Sequence, residues 1–196
     1  MSKTKPLIST LVLLAATGMP AIASATDHQG LYRFGSLGVA TVEAEVSASG
    51  ARVERNGTAP SARAGIGYRW SRHVAVEANA HTTLGKVNLG SLGGVRSYGT
   101  QGSVLGIVPL GDSFELFGKL SAGIERNRWS EGVQKPYTVA MNHMHLGLGL
   151  GARYRITNAM AVRLDIDSLS QGSYHAGPVR GDLSLGSATL GLQYQF

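Results

Sequence analysis

The run SLGSATLGLQYQF, Ser184–Phe196, decides the fold. Counted back from the carboxyl end, Phe196, Tyr194, Leu192, Leu190, Ala188 and Gly186 fall on one face, and Gln195, Gln193, Gly191, Thr189 and Ser187 on the other. A strand turns its side chains over every two residues, so this is a β-strand with one apolar and one polar face. The apolar ladder continues to the last residue, with nothing after it to cover it. A closed membrane barrel accounts for both features: lipid covers the outside, and the first strand pairs with the last.

The same alternation recurs upstream. Between Ser61 and Trp70, Ala62, Ala64, Ile66, Tyr68 and Trp70 oppose Arg63, Gly65, Gly67 and Arg69. From His73 to Leu84, Val74, Val76, Ala78 and Ala80 oppose Glu77, Asn79 and His81. From Phe114 to Arg126, Leu116, Leu120, Ala122 and Ile124 oppose Lys119, Ser121 and Glu125. The most regular segment sets Leu146, Leu148, Leu150, Ala152, Tyr154 and Ile156 against His145, Gly147, Gly149, Gly151, Arg153 and Arg155. From Met160 to Ser168, Val162, Leu164 and Ile166 oppose Arg163, Asp165 and Asp167.

Two segments read less clearly. Around Gly30–Val42 both Leu31/Leu37/Val39 and Tyr32/Phe34 are apolar, and Tyr98–Val108 alternates weakly before Pro109. With the last strand the count is eight. Ser71-Arg72, Gly111-Asp112-Ser113 and Thr157-Asn158 make short connections. Polar or glycine-rich stretches at 43–60 (with Asn56-Gly57 as turn signal), 85–96, 127–140 and 171–182 make long ones. Such alternation is the pattern of periplasmic turns and extracellular loops. The expected fold is all-β: an eight-stranded antiparallel up-and-down transmembrane β-barrel. A lipocalin-like soluble barrel would turn its apolar face inward around a ligand. Here the opposite face carries the charges and glycines, which suits a narrow, ion-paired interior.

Lys3 and Lys5, an apolar core from Leu7 to Ala16, a break at Gly18 and Pro20, and Ala23-Ser24-Ala25 read as a signal peptide cleaved before Thr26. The apolar core is too short for a spanning helix. The expected organisation is a signal peptide over 1–25 and one barrel over 26–196, exported to the outer membrane of a Gram-negative cell envelope. The chain has no cysteine, so no disulfide framework holds it together. Its 27 glycines are about twice the usual share of ~7% and lie mostly inside the alternating segments. The formal charge is +6, but Lys and Arg are spread along the chain without a run. Nucleic acid is therefore not an expected partner; outer-membrane lipids and the phosphates of lipopolysaccharide are.

The stretches VLGIVPLGDSFELFGKLSAGIERNRW (Val104–Trp129) and GARYRITNAMAVRLDIDSLS (Gly151–Ser170) resemble strand–turn–strand units of the outer membrane protein A (OmpA)-like barrel family. The ending Thr189-x-Gly191-x-x-Tyr194-x-Phe196 is similar to the signal such proteins present to the barrel assembly machinery. The resemblance implies a plugged interior, with Glu77, Lys119 and Asp165 at interior charge positions. Arg63, Arg153 and Arg163 join them by alternation. Two departures stand out. The fourth strand offers only Gln101, Ser103 or Leu105 where the family places an interior basic residue, and no peptidoglycan-binding domain follows Phe196. Wall tethering is therefore not an expected role.

No catalytic, cofactor or metal residue is expected. His143 and His145 share a face but have no cysteine and no acid nearby in sequence. His73, His81 and His175 are isolated. His143, His145, Asp167, Ser168 and Ser170 gather toward the extracellular end, as in barrels that modify lipid A, but no His-x-Ser signature of the deacylases is present. Gly147-x-Gly149-x-Gly151 lies mid-strand and opens no helix, so it is no phosphate loop. The expected role is structural or surface-interacting, through four loops that meet lipopolysaccharide, host molecules or phage. A lipid A deacylase or acyltransferase and a minor, porin-like pore are the alternatives.

Gly191, Tyr194 and Phe196 make the candidate assembly signal. Deleting Phe196 should leave folding in detergent micelles largely intact while depleting the protein from outer membranes in cells. The terminal aromatic contributes only ~1–3 kcal/mol as wall, whereas recognition needs an exposed strand edge and its anchor. Equal cellular levels of deletion and wild type would make the run ordinary barrel wall.

Overall fold

The computed structural model describes residues 29–48, 51–85, 87–88, 94–130, 138–176 and 179–196. The expected signal peptide lies outside them. The strands are β1 (Gly30–Ala48), β2 (Ala51–Arg69), β3 (Val74–Thr83), β4 (Val87–Asn88), β5 (Gly94–Pro109), β6 (Phe114–Ser130), β7 (Thr138–Arg155), β8 (Met160–Ala176) and β9 (Val179–Gln195). The antiparallel order β3-β2-β1-β9-β8-β7-β6-β5 closes on itself through β3–β5 pairing, giving an eight-stranded barrel. The two-residue β4 is an appendage that pairs with the start of β5.

Alternation becomes inside and outside as expected. Leu120, Leu146, Leu148, Leu150, Ile166, Leu190 and Leu192 face outward, while Arg63, Glu77, Lys119, Arg153, Arg163 and Asp165 are buried in the lumen. The two ambiguous strands also resolve. Tyr32 and Phe34 point inward, and Leu37 and Val39 outward. The reason lies in β2, where Gly67 and Gly65 stand directly opposite Tyr32 and Phe34. A Cβ at Gly65 would lie 2.7 Å from Phe34 Cζ, so the aromatic rings occupy space that side chains on β2 would fill. Gln101, Ser103, Leu105 and Ile107 of β5 also face inward. Its alternation is weak because Leu105 and Ile107 join Tyr32, Phe34, Ala75 and Phe117 in an apolar interior cluster, while Gly102 and Gly106 face outward.

The turns at one end are tight. Trp70 N–H donates to Val74 O at 3.0 Å, Leu110 N–H to Phe114 O at 2.8 Å and Ile156 N–H to Met160 O at 2.9 Å. Gly111 adopts φ +89°, a conformation that favours glycine. The other end departs from expectation. In the stretches 43–60, 127–140 and 171–182, read as loops, the described residues are strand. The β1–β2 ladder is unbroken from Gly30↔Arg69 to Ala48↔Ala51, so Asn56-Gly57 lies within β2, opposite Glu43 and Val42, and turns nothing. The β6–β7 ladder likewise extends to Ser130↔Thr138, and the β8–β9 ladder reaches Ala176↔Val179 with one register shift between Gln171 and Tyr174. A local turn signal yields to a ladder already in register on both sides, because leaving it would strand paired backbone groups. A membrane strand needs only ~9–11 residues, so these 17- to 19-residue strands project well beyond the bilayer.

Leu148 lies within the apolar belt and Leu110 in a periplasmic turn. In lipid vesicles Leu148→Arg should lower unfolding free energy by ~2–4 kcal/mol and Leu110→Arg by ~0–1 kcal/mol. Equal losses would contradict the assigned membrane depth.

Candidate functional site

The interior of the barrel is filled by charge in three layers. In the middle layer three carboxylates, Glu77, Asp165 and Asp167, meet three cations, Arg63, Lys119 and Arg163. Arg163 is completely buried. It donates from Nη1 to Glu77 Oε1 at 2.8 Å, from Nη2 to Glu77 Oε2 at 3.3 Å, and from Nε and Nη2 to the two oxygens of Asp165, each at 2.8 Å. Such forked pairing satisfies several donors at once, which is what a buried guanidinium requires. Lys119 Nζ bridges Asp165 at 2.9 Å and Asp167 at 2.8 Å. Arg63 reaches Asp167 Oδ2 at 2.6 Å and Ser187 Oγ at 3.3 Å. Tyr32 Oη donates to Glu77 Oε1 at 2.8 Å. The guanidinium of Arg163 also stacks over Phe34, 4.2 Å from the ring centre.

The layer nearest the tight turns centres on Glu115. Its oxygens lie 2.9 Å from Arg69, 3.1 Å from Arg153 and 3.6 Å from Arg155. The outer layer centres on Glu125, which is fully buried. Ser97 Oγ donates to Glu125 Oε1. Glu125 Oε2 lies 3.7 Å from His81 Nε2 and 3.9 Å from His145 Nδ1, and the two imidazole rings are 6.2 Å apart.

Alternation on single strands gives the inward position of Glu115, Glu125, Asp167 and His145, but not their partners. Those partners come from strands distant in sequence: Arg63 and Asp167 are 104 residues apart, and Arg163 and Glu77 are 86 apart. Tyr32 has no charge to signal its role. The acid absent from the sequence around His145 is supplied by β6 as Glu125. On β5, Gln101 and Ser103 fill the interior without a cation; Arg163 of β8 reaches Glu77 of β3 across the barrel, and Lys119 of β6 reaches Asp165 of β8.

Of the loop-end residues considered for lipid A chemistry, the described pair Asp167 and Ser168 point to opposite faces of β8. Ser168 is exposed on the outer face, whereas Asp167 is buried in ion pairs with Arg63 and Lys119. His73 sits at a periplasmic turn, with Nδ1 3.2 Å from the Ile107 carbonyl oxygen. The side chains of His143, Ser170 and His175 lie outside the described residues. Gly191, Tyr194 and Phe196 form the β1–β9 seam. A Cβ at Gly191 would stand 2.5 Å from Ser36 Cβ, the Tyr194 and Phe196 rings pack edge to face at 5.4 Å, and Phe196 N–H donates to Leu31 O at 3.0 Å.

A family model for the outer membrane protein beta-barrel domain matches residues 9–196. The chain belongs to this family. Its place is therefore the cell outer membrane, as the outward apolar belt requires. Solved barrels share the fold at low identity. Neisserial surface protein A is 14% identical over 83% of this chain and 97% of its own, with a TM-score of 0.58. The outer membrane protease OmpT from Escherichia coli is 12% identical over 89% and 99%, with a TM-score of 0.57. The outer membrane protein OprG from Pseudomonas aeruginosa is 13% identical over 87% and 98%, with a TM-score of 0.53. No curated protein matches the sequence.

Removing the cation at the centre of the middle layer leaves Glu77 with a buried, unmatched charge. Arg163→Gln should lower unfolding free energy by ~3–5 kcal/mol. Adding Glu77→Gln should restore part of that loss, so the double variant is more stable than the sum of the singles implies. Strictly additive losses in denaturant titrations would show that the two side chains are not coupled.

Proposed function

We propose that this barrel is a structural, surface-interacting component of the outer membrane that works through its extracellular ends and neither conducts ions nor turns over a substrate. The middle charge layer carries the reading. Glu77, Lys119, Arg163, Asp165 and Asp167 span the lumen in direct contact. The cavities on either side of it measure about 20 Å³ and 40 Å³, room for one or two waters each. An ion path would have to dismantle several buried, charge-assisted hydrogen bonds at once. Interior side chains filling a barrel of this size are the general expectation for eight strands.

The work then falls to the projecting strand ends. Their outer halves carry Arg52, Arg55, Arg96, Arg126, Arg128 and Arg180, with Glu43, Glu45, Glu54 and Asp182 interspersed. Arginine suits lipopolysaccharide phosphates, which it can contact with two parallel hydrogen bonds. Protein ligands on host cells or phage are the further partners such a rim could meet. OmpT is a protease that shares the fold, but fold alone assigns no chemistry.

The purified barrel should give no discrete conductance steps in planar bilayers and should leave the lipid A mass spectrum of cells unchanged. It should associate with lipopolysaccharide-containing vesicles more weakly as salt rises. Reproducible channel steps would overturn the plugged reading, and a changed acylation pattern would replace it with the lipid A enzyme.

A further inference from the structure

The three interior carboxylate groupings are not treated alike. Glu115 is surrounded by Arg69, Arg153 and Arg155, and the middle acids share Arg63, Lys119 and Arg163. Glu125 is as deeply buried, yet among the described residues it faces no lysine or arginine at salt-bridge distance. It faces two imidazoles instead. A buried carboxylate without a cation is costly by several kcal/mol, so a cation belongs beside it (roughly the penalty of one desolvated ion).

We propose that His81, Glu125 and His145 bind one divalent transition-metal ion of the zinc class at the outer end of the barrel interior. Three observations converge on it. First, Glu125 Oε2 and all four ring nitrogens of His81 and His145 are buried without a hydrogen-bond partner among the described residues. A neutral imidazole has one donor and one acceptor nitrogen, and the acceptor is the metal-binding one. Second, the Ser97 hydroxyl occupies Glu125 Oε1 and so leaves Oε2 toward the imidazoles, the kind of outer hydrogen bond that orients a metal-binding carboxylate. Third, a cavity of about 20 Å³ lined by Ser61, His81, Thr83, Ser97 and Glu125 adjoins the cluster, with room for a metal-bound water.

The geometry is open rather than formed. No group of three acids and histidines among the described residues already stands as a metal centre. Ligand atoms around tetrahedral zinc are ~3.3 Å apart. The separations of 3.7 Å and 3.9 Å must therefore each close by a few tenths of an ångström, within reach of side-chain rotation. Two imidazoles and one carboxylate favour zinc, nickel or copper over calcium or magnesium. The three ligands and Ser97 come from β3, β5, β6 and β7, which are neighbours in the wall, so the ion would tie together the half of the barrel that contains its closing seam. The site is independent of the surface role proposed above.

The test uses full-length barrel without a histidine tag, refolded in detergent and cleared of metal with a chelator. Cobalt(II) added at neutral pH should produce a tetrahedral ligand-field spectrum that saturates at one ion per barrel and is displaced by zinc(II). Glu125→Gln and His145→Ala should each abolish it, and Ser97→Ala should weaken it roughly 10–100-fold. His73→Ala, altered at the other end of the barrel, should leave it unchanged. Unboiled gel mobility establishes that each variant is folded. Should a variant fail to fold, zinc-edge X-ray absorption on wild type decides: two imidazoles and oxygen around zinc support the site. Absence of saturable binding, binding that survives both ligand variants, or imidazole NMR signals that report a protonated histidine and ignore zinc would overturn it.

Discussion

No water reaches the hydrocarbon core of a bilayer, so every backbone N–H and C=O there must find a partner within the chain. That constraint organises the molecule. A sheet of eight long strands has two edges, and the only way to satisfy both is to join them. Here β3 meets β5 over nine residue pairs, from Val74↔Gly106 to Thr82↔Tyr98, and the first and last long strands pair from Tyr32↔Gln195 to Ala48↔Val179. Closure also fixes register, and register fixes which side chains enter the lumen, since a slip of one residue would exchange the two faces of a strand.

A second requirement follows from closure. Eight strands leave a lumen only as wide as the side chains that fill it, and the chain fills it with ionised groups. The inward glycines make that possible. Gly149 leaves space for Lys119, whose Cε would lie 3.0 Å from an added Cβ, and Gly65 does the same for Phe34. Large and small residues thus share the wall, and the charged ones of the middle layer reach partners on other strands. The middle and inner layers match carboxylates with lysine and arginine; the outer layer substitutes histidine. The resulting interior is crossed by direct ion pairs, the observation on which the proposed plugged, surface-interacting role rests.

Much of this was legible in the sequence because a barrel strand writes its two faces in a period of two. Strand count, lipid-facing rows and the inward position of Arg63, Glu77, Lys119, Arg153, Arg163 and Asp165 follow from alternation alone. Three features did not. The inward face of β1 depends on Gly65 and Gly67 of the neighbouring strand, so β1 read by itself offers two apolar faces. The extent of the hairpins is set by ladder continuity, which overrides the local preference of Asn56-Gly57. The pairing of Glu125 with His81 and His145 joins three strands, and no spacing within one strand can announce it.

The account rests on the barrel closing through β3 and β5 in one particular register. Cysteines at Ala78 and Gly102, which are direct partners on the lipid-facing side of that seam, test it most directly. Oxidation of the folded double variant in lipid vesicles should form an intramolecular disulfide in nearly every molecule, while cysteines at Ala80 and Gly102, two residues out of register, should cross-link poorly. The opposite preference, or no cross-link in protein shown to be inserted, would mean that the wall closes differently and that the interior charges face other partners.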